Sequence, residues 1–460
     1  DHAPRLVNEL ALGTVNETAA LSLAMAGYTI GTDTLHEQLH QLGPGQWLHA
    51  AGYTYERHRY ATWSPWRANR AATVADQQMA ADVTLAMLET LVSAASGRPI
   101  AIALSAGLDS RVVASGLSHI GARNVRCYAY GLPGNYEAAA SRAIAEKLGF
   151  DWTFVPLTRK SQRRAFNSQL IEEYLLFADS RSATPVLNDL TVTQQLLKSG
   201  FIDEETLIVN GNSGDFISGM HIAPALRTRE GRQDAEVMRD EVVDALIVKH
   251  FRLWTSLATT ANDARIRTRL RRELDQLAPA SGEPEQRHGL YEAMEFRDRQ
   301  SKFVIGRQRI YEFLGLEWAL PLWDQDYLKF WEEQPLEVKA GQALYRDMAV
   351  AADWGGVWGP DWWPPRRLSP DWMRLGVRPL CKLAIAPFGK ARWHQFERRF
   401  LMYWMDMLSW HGCLPYSTVA GDARGARHFI AWHTERYLSR IGLGFDGAPL
   451  PNRDGRTIGV

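Results

Sequence analysis

Between Leu104 and Arg111 the chain reads LSAGLDSR, directly after the apolar run Pro99-Ile100-Ala101-Ile102-Ala103 and directly before Val112-Val113-Ala114. Hydroxyls, two small residues and a carboxylate at the end of a buried run, with a helix starting at once, make the composition of an anion site. Ala106 and Gly107 let backbone amides approach a phosphate, and the hydroxyls of Ser105 and Ser110 can donate to its oxygens. Asp109 would repel a phosphate that it faced directly, so its chemistry is that of a Mg²⁺ ligand bridging to phosphate oxygens. No lysine follows in GK[ST] spacing, which excludes a Walker-type phosphate loop. The plain alternative is a tight turn with a helix cap. A second unusual loop, GNSGDFISG at Gly211–Gly219, closes the short apolar strand expected at Thr206–Asn210.

The elements that must carry these loops follow from periodicity. Gln77–Ala95 has helical spacing, Pro99–Ala103 reads as a strand, and the loop opens a helix. A second unit repeats the pattern: strand Val125–Tyr130, loop Gly131–Asn135, and helix Tyr136–Leu148 closed by Gly149. Trp152–Pro156 reads as a third strand. Alternation of this kind predicts an α/β fold, a doubly wound parallel sheet in which ligands bind outside the carboxyl ends of the strands. From about Met238 onward the pattern is mainly helical and aromatic-rich. Ahead of the sheet, Thr34–Leu42 reads as a short helix stopped by Gly43-Pro44-Gly45, followed by strands near Gln46–His49 and Tyr53–Tyr60.

Composition narrows the function classes. Lys+Arg and Asp+Glu balance at 52 each, so the bulk basic surface that supports nucleic-acid binding is missing. No apolar run reaches 18 residues, which predicts no stable membrane insertion. Cys127, Cys381 and Cys413 are odd in number and lack CxxC spacing, which fits a cytoplasmic, reducing compartment. HEQLH at His36–His40 matches the HExxH zinc pattern, but the Gly43 stop leaves no long helix to carry it. Trp354–Trp372 holds five tryptophans with Arg366 and Arg367, which suit either a diphosphate clamp or, more simply, core packing. Trp393, Phe396, Phe400, Trp404, Met407 and Leu408 form a helical stripe whose default is core.

The loop Ser105-Ala106-Gly107-Leu108-Asp109-Ser110 resembles the pyrophosphate-binding loop, SGGLDS in its usual form, of the asparagine synthetase superfamily, with Ala106 in place of one glycine. The likeness continues in order through Tyr128-Ala129-Tyr130-Gly131 with Glu137, through NGNSGDFISG, and through FLGLEWALPLWD at Phe313–Asp324. Upstream, TLHEQLHQLGPGQWL is similar to the end of the glutaminase domain that precedes the synthetase domain in that family. The resemblance implies an adenine-nucleotide alpha-hydrolase-like sheet at 67–345, a glutaminase-type remnant at 1–66 and a helical, Trp-rich extension at 346–460. It implies ATP and Mg²⁺, activation of a carboxylate as its adenylate, and amide formation with release of AMP and pyrophosphate. The ATP-binding positions carried over are Leu104, Ser105, Ala106, Gly107, Leu108, Asp109, Ser110, Tyr130, Gly131, Gly211, Asn212, Ser213 and Gly214. Asp109 and Asp215 are the metal positions, Arg111 a further cation at the pyrophosphate, and Asp324, Arg366 and Arg367 substrate positions. The lysine that relatives hold against the phosphates falls among Lys339, Arg366 and Arg367. Asn212 stands where the family has a glutamate, which puts the handling of the amine proton and an aspartate substrate in question.

Within the superfamily the loops look most like members encoded with bacterial surface-polysaccharide enzymes, which implies a uronic acid acceptor converted to its uronamide. The alternatives are a macrolactam- or β-lactam-forming synthetase using an internal amine, or a catalytically degenerate nucleotide-binding scaffold. A tRNA-thiolating relative would need catalytic cysteines and a basic face. The partners implied are a small-molecule carboxylate, ammonia or glutamine through a missing or separate glutaminase, and a homodimer as the candidate assembly. The chain opens on Asp1 and has no cysteine before Cys127, so the glutaminase cysteine is expected upstream or on another chain.

Overall fold

The computed structural model describes residues 2–67, 70–227, 235–278, 286–363 and 369–450. At its centre is a five-stranded, all-parallel sheet, flanked by many helices. An antiparallel hairpin, β1 (Gln46–Ala51) and β2 (Thr54–Arg59), stands apart from it. The sheet strands are β3 (Ile100–Ala103), β4 (Val125–Gly131), β5 (Asp151–Pro156), β6 (Leu207–Val209) and β7 (Trp318–Ala319). Their spatial order is β5-β4-β3-β6-β7, so the chain runs outward from β3 in one direction and then restarts beside it in the other. The reversal falls between β3 and β6, and that switch point is where a doubly wound sheet opens a crevice.

Strand alternation explains why both faces are covered. Ile100, Ile102, Cys127, Leu207 and Val209 enter one core with the helices α1 (Asp76–Ala95), α2 (Leu108–His119) and α3 (Tyr136–Leu148). Ala101, Tyr128, Val155 and Ile208 point the other way, into a core shared with helices Gln169–Phe177, Leu190–Lys198 and Ile430–Arg440. Side chains of period two therefore split cleanly between the two layers, each fully buried Ile or Val contributing about 1.5–3 kcal/mol.

The local signals act as the sequence predicts in α3. Asn135 caps it by accepting from the Ala138 N–H at 2.8 Å, and Gly149 ends it in the left-handed conformation, φ 75°. Thr34–Leu42 is different: it forms turns and isolated bridges, Val15 with His36 and Asp33 with His40, and no helix. The Thr34 hydroxyl bonds the carbonyls of Leu39, at 2.7 Å, and His36, at 3.2 Å, which folds the segment back on itself. Helix Glu17–Ala26 is buried in the same core as Ile430–Arg440. Among the described residues no helix is long and apolar enough to cross a membrane.

Candidate functional site

At the switch point the loops after β3 and β6 close on each other. Leu104 still belongs to the sheet edge, its N–H bonding the Tyr128 carbonyl at 2.9 Å. Beyond it the Ser110 hydroxyl accepts from the Ser105 N–H at 3.1 Å, and Ser105 Oγ accepts from the Gly107 N–H at 3.1 Å. The two hydroxyls lie 3.2 Å apart, so one proton of the pair is used between them and the other is left to donate. Gly107 is the residue before α2 and no side chain caps that helix, which leaves first-turn N–H groups for an anion. Ala106 has no positive φ, so the glycine usual at that place is not required by the backbone.

Two glycines let the second loop reach Asp109. A Cβ on Gly211 would lie 2.9 Å from the Asp109 carbonyl carbon and the Ser110 nitrogen. A Cβ on Gly214 would lie 2.6 Å from the Asp109 carboxyl. That close approach allows the Asp215 N–H, at the start of α4 (Gly214–Ile217), to donate to Asp109 Oδ2 at 3.0 Å. Ser213 holds the loop in the left-handed region, φ 71°, with its hydroxyl donating to Gln300 at 2.8 Å. Asn212 Nδ2 is buried and without a hydrogen-bond partner.

Asp109 and Asp215 fit a magnesium ion bound with its phosphate ligand. Asp109 Oδ1 is buried and meets no partner of hydrogen-bond geometry; the Tyr345 hydroxyl is a polar neighbour of this carboxyl. Burial, then the Asp215 carboxylate, push the Asp109 carboxyl well above the usual range, the situation a bound cation would relieve. Among the described residues no group of three or more His, Cys, Asp or Glu is arranged to hold a metal alone. A pair of carboxylates completed by phosphate oxygens and water is the ordinary magnesium arrangement.

Behind Asp215 lies a network with no counterpart in the sequence reading. Asp215 Oδ2 meets His221 Nε2 at 3.1 Å, His221 Nδ1 meets Glu295 Oε1 at 2.5 Å, and Glu295 Oε2 meets His250 Nε2 at 3.1 Å. Burial disfavours the imidazolium, but Glu295 and Asp215 outweigh it and raise His221 to about 9. The same imidazolium draws Asp215 below its ordinary value against the opposing effect of burial. Glu295 ends helix α5 (Arg287–Glu295), and the chain continues in wide π-helical turns, Phe296–Val304. Those turns bring residues five apart into contact, so Gln300 donates to Glu295 at 3.0 Å while accepting from Ser213. No spacing links His221 to Glu295 in sequence; only the packing of α5 behind the second loop joins them.

The other expected residues fall elsewhere. Arg111 is buried and stacked between Trp358 and Trp363, with ring centroids 5.1 and 4.9 Å from its guanidinium carbon. It donates to the Ala106 carbonyl at 2.9 Å and the Trp362 carbonyl at 3.0 Å, so it braces the loop from behind instead of presenting a cation to the anion. Asp324 caps a helix: its Oδ1 accepts from the N–H groups of Asp326 and Tyr327 at the start of α6 (Gln325–Glu332). Lys339 is fully buried and paired with Glu292 at 3.0 Å. Tyr130 donates to Asp189 at 3.0 Å. Gly131, at φ 130°, permits the close passage of the Met407 carbonyl, which accepts from Leu132 at 2.8 Å. Arg366 and Arg367 lie outside the described residues. Trp354 and Trp358 are core residues, as the simpler reading of that stretch expects.

The family model described as asparagine synthase matches residues 51–350, a span that holds the sheet, both loops and the His221–Glu295 network. No curated protein matches the chain.

Proposed function

The chain belongs to the asparagine synthase family of ATP-dependent ligases, and from that premise we propose that it adenylates a carboxylate and passes the acyl group to ammonia or an amine. A carboxylate oxygen of the acceptor attacks the α-phosphorus of ATP, the bond to the β-phosphate oxygen breaks, and pyrophosphate leaves. The nitrogen nucleophile then attacks the acyl carbon, AMP departs, and the amide remains. The negative charge that develops on pyrophosphate is the charge for which first-turn N–H groups and the Ser105–Ser110 pair are suited. Magnesium bound by Asp109 and Asp215 would neutralise the same oxygens. His221, charged at neutral pH, keeps Asp215 ionised and oriented. Asn212 offers a donor, not a base, so the proton lost by the amine is taken by another group.

The observation that carries this reading is the meeting of two loops at the switch point around an unpartnered Asp109 oxygen. The acceptor implied by the sequence resemblance is a uronic acid of a surface-polysaccharide precursor. Mg²⁺-dependent ATP–pyrophosphate exchange across aspartate, nucleotide-linked uronic acids and short peptides tests it. The expected result is exchange that depends on one acceptor and disappears in Asp109→Asn. Exchange that persists in Asp109→Asn, or ATP bound without exchange on any acceptor, would contradict it.

A further inference from the structure

A cleft of about 800 Å³ is lined by His221 and its neighbours Met220–Ala225, by Arg227, by Ala245, Val248 and Lys249, and by Arg427. It is within the size range of a small-molecule site. Its charges do not balance. The two acidic residues in its wall are already neutralised, Glu241 by Arg287 at 2.7 Å and Asp244 by Arg267. The remaining cations are Arg227, Lys249 and Arg427.

Among the described residues Arg227 and Arg427 have no carboxylate within ion-pair distance, and Lys249 has only the shared Glu295 at 3.9 Å. Arg227 donates only to the carbonyls of Ile222, at 3.0 Å, and Met220, at 3.5 Å. Arg427 donates to the Lys249 carbonyl at 2.7 Å. Burial, and then the guanidinium groups of Arg398, Arg252 and Arg299, act against its charge. Lys249 donates to the His221 carbonyl at 2.6 Å and stands 3.9 Å from Glu295, which is already shared by His221 and His250. Cations held largely by neutral carbonyls around one cavity retain the capacity to bind an anion through charge-assisted hydrogen bonds.

We propose that this cleft binds an anionic group of the acceptor, so that the acceptor is a carboxylate carrying a second anion, a phosphate or sulfate ester or a further carboxylate. The inference rests on the adenylating reading above, because His221 belongs both to the cleft wall and to the Asp215 side of the loop site. An acceptor anchored by its remote anion would have its reacting carboxylate directed past His221 toward the two loops, which converts remote binding energy into positioning.

The direct test is calorimetric titration of the full chain with inorganic phosphate. Arg227→Gln, at an exposed position, and the double variant Arg227→Gln/Arg427→Gln probe the cleft; Ser105→Ala probes the loop. Circular dichroism and the denaturation midpoint check the fold of each. The expected result is phosphate binding weakened at least tenfold in the double variant, weakened measurably in Arg227→Gln, and unchanged in Ser105→Ala. Equal binding in wild type and the double variant, or loss in Ser105→Ala alone, would overturn the proposal, since the anion would then sit in the loop. In the exchange assay, singly charged carboxylates that serve as well as phosphorylated ones would also overturn it while leaving adenylation intact. Phosphate bound in the cleft without exchange on any acceptor would count against the adenylating function and leave the anion site standing.

Discussion

Gly214→Ala is the sharpest perturbation of the loop contact, because it adds one methyl group and no charge. Its Cβ would fall 2.6 Å from Cγ and Oδ1 of Asp109 and 2.7 Å from Cδ1 of Leu322. Neither neighbour has room: Leu322 is fully buried, and Asp109 is a short side chain fixed through the Asp215 N–H at 3.0 Å. Overpacking of this kind costs about 1–3 kcal/mol in stability. A displaced carboxylate also loses a hydrogen bond worth roughly 1.5–3 kcal/mol to a charged acceptor. If Asp109 holds the metal that bridges the phosphates, a share of that cost appears in nucleotide binding, where each 1.4 kcal/mol or so is tenfold. We therefore expect Mg·ATP affinity to fall at least about tenfold, and the metal-free affinity for ATP to change far less. Titration with ATP in the presence of Mg²⁺ and then of a chelator measures both. Gly306→Ala is the control, since its Cβ would meet nothing within 4 Å and its φ is not positive. A Gly214→Ala chain that is destabilised in urea yet binds Mg·ATP like wild type would refute the placement of Asp109 at the ligand.

Replacing Arg111 by Lys should destabilise the fold by about 2 kcal/mol or more, because an ammonium cannot stack between two indoles or reach the same carbonyls; urea denaturation of the Mg-free chain gives the value. Asp324→Ala should cost about 1 kcal/mol as a lost cap and leave the acceptor KM unchanged; a raised KM with unchanged stability would restore it to the substrate site. His221 has a folded pKa raised from 6.5 to about 9, so its contribution to stability is complete below pH 6.5 and is lost as pH rises through about 9. The urea midpoint of the metal-free protein should accordingly fall between pH 7 and pH 9.5, and His221→Asn should flatten that fall; an unaltered slope in the variant would exclude His221 as the source.

The sheet and its loops were legible because local signals agree there with the final packing. Ile100-Ala101-Ile102 alternates between two cores, and Asn135 and Gly149 respectively start and stop a helix whose apolar positions match its buried face. Thr34–Leu42 misleads because Leu35, Leu39 and Leu42 have helical spacing, whereas the chain there is organised by the Thr34 hydroxyl, a local bridge between Asp33 and His40, and a bridge from His36 to Val15. β7 is two residues long inside a stretch that otherwise reads as helix; its strand character comes from pairing with β6. Arg111 follows the loop by a single residue, which suggests a shared ligand. Its helical position instead turns it under the loop, against tryptophans roughly 250 residues away in sequence. His221, Glu295 and His250 carry no motif at all, and their meeting is a property of how α5 and helix Ala235–His250 pack. The pattern of the two loops is thus local and readable, while the electrostatics that tune Asp215 are tertiary.

In the proposed reaction a carboxylate attacks the α-phosphorus of ATP between those loops. That step is tested most directly by supplying the acceptor with ¹⁸O in its carboxylate, together with ammonia and Mg·ATP, and reading the nucleotide product by mass spectrometry. Adenylation requires one carboxylate oxygen to leave with the α-phosphorus, so the expected products are AMP carrying a single ¹⁸O and unlabelled pyrophosphate. Label in orthophosphate, with ADP as the nucleotide product, would mean attack at the γ-phosphorus and would contradict adenylation.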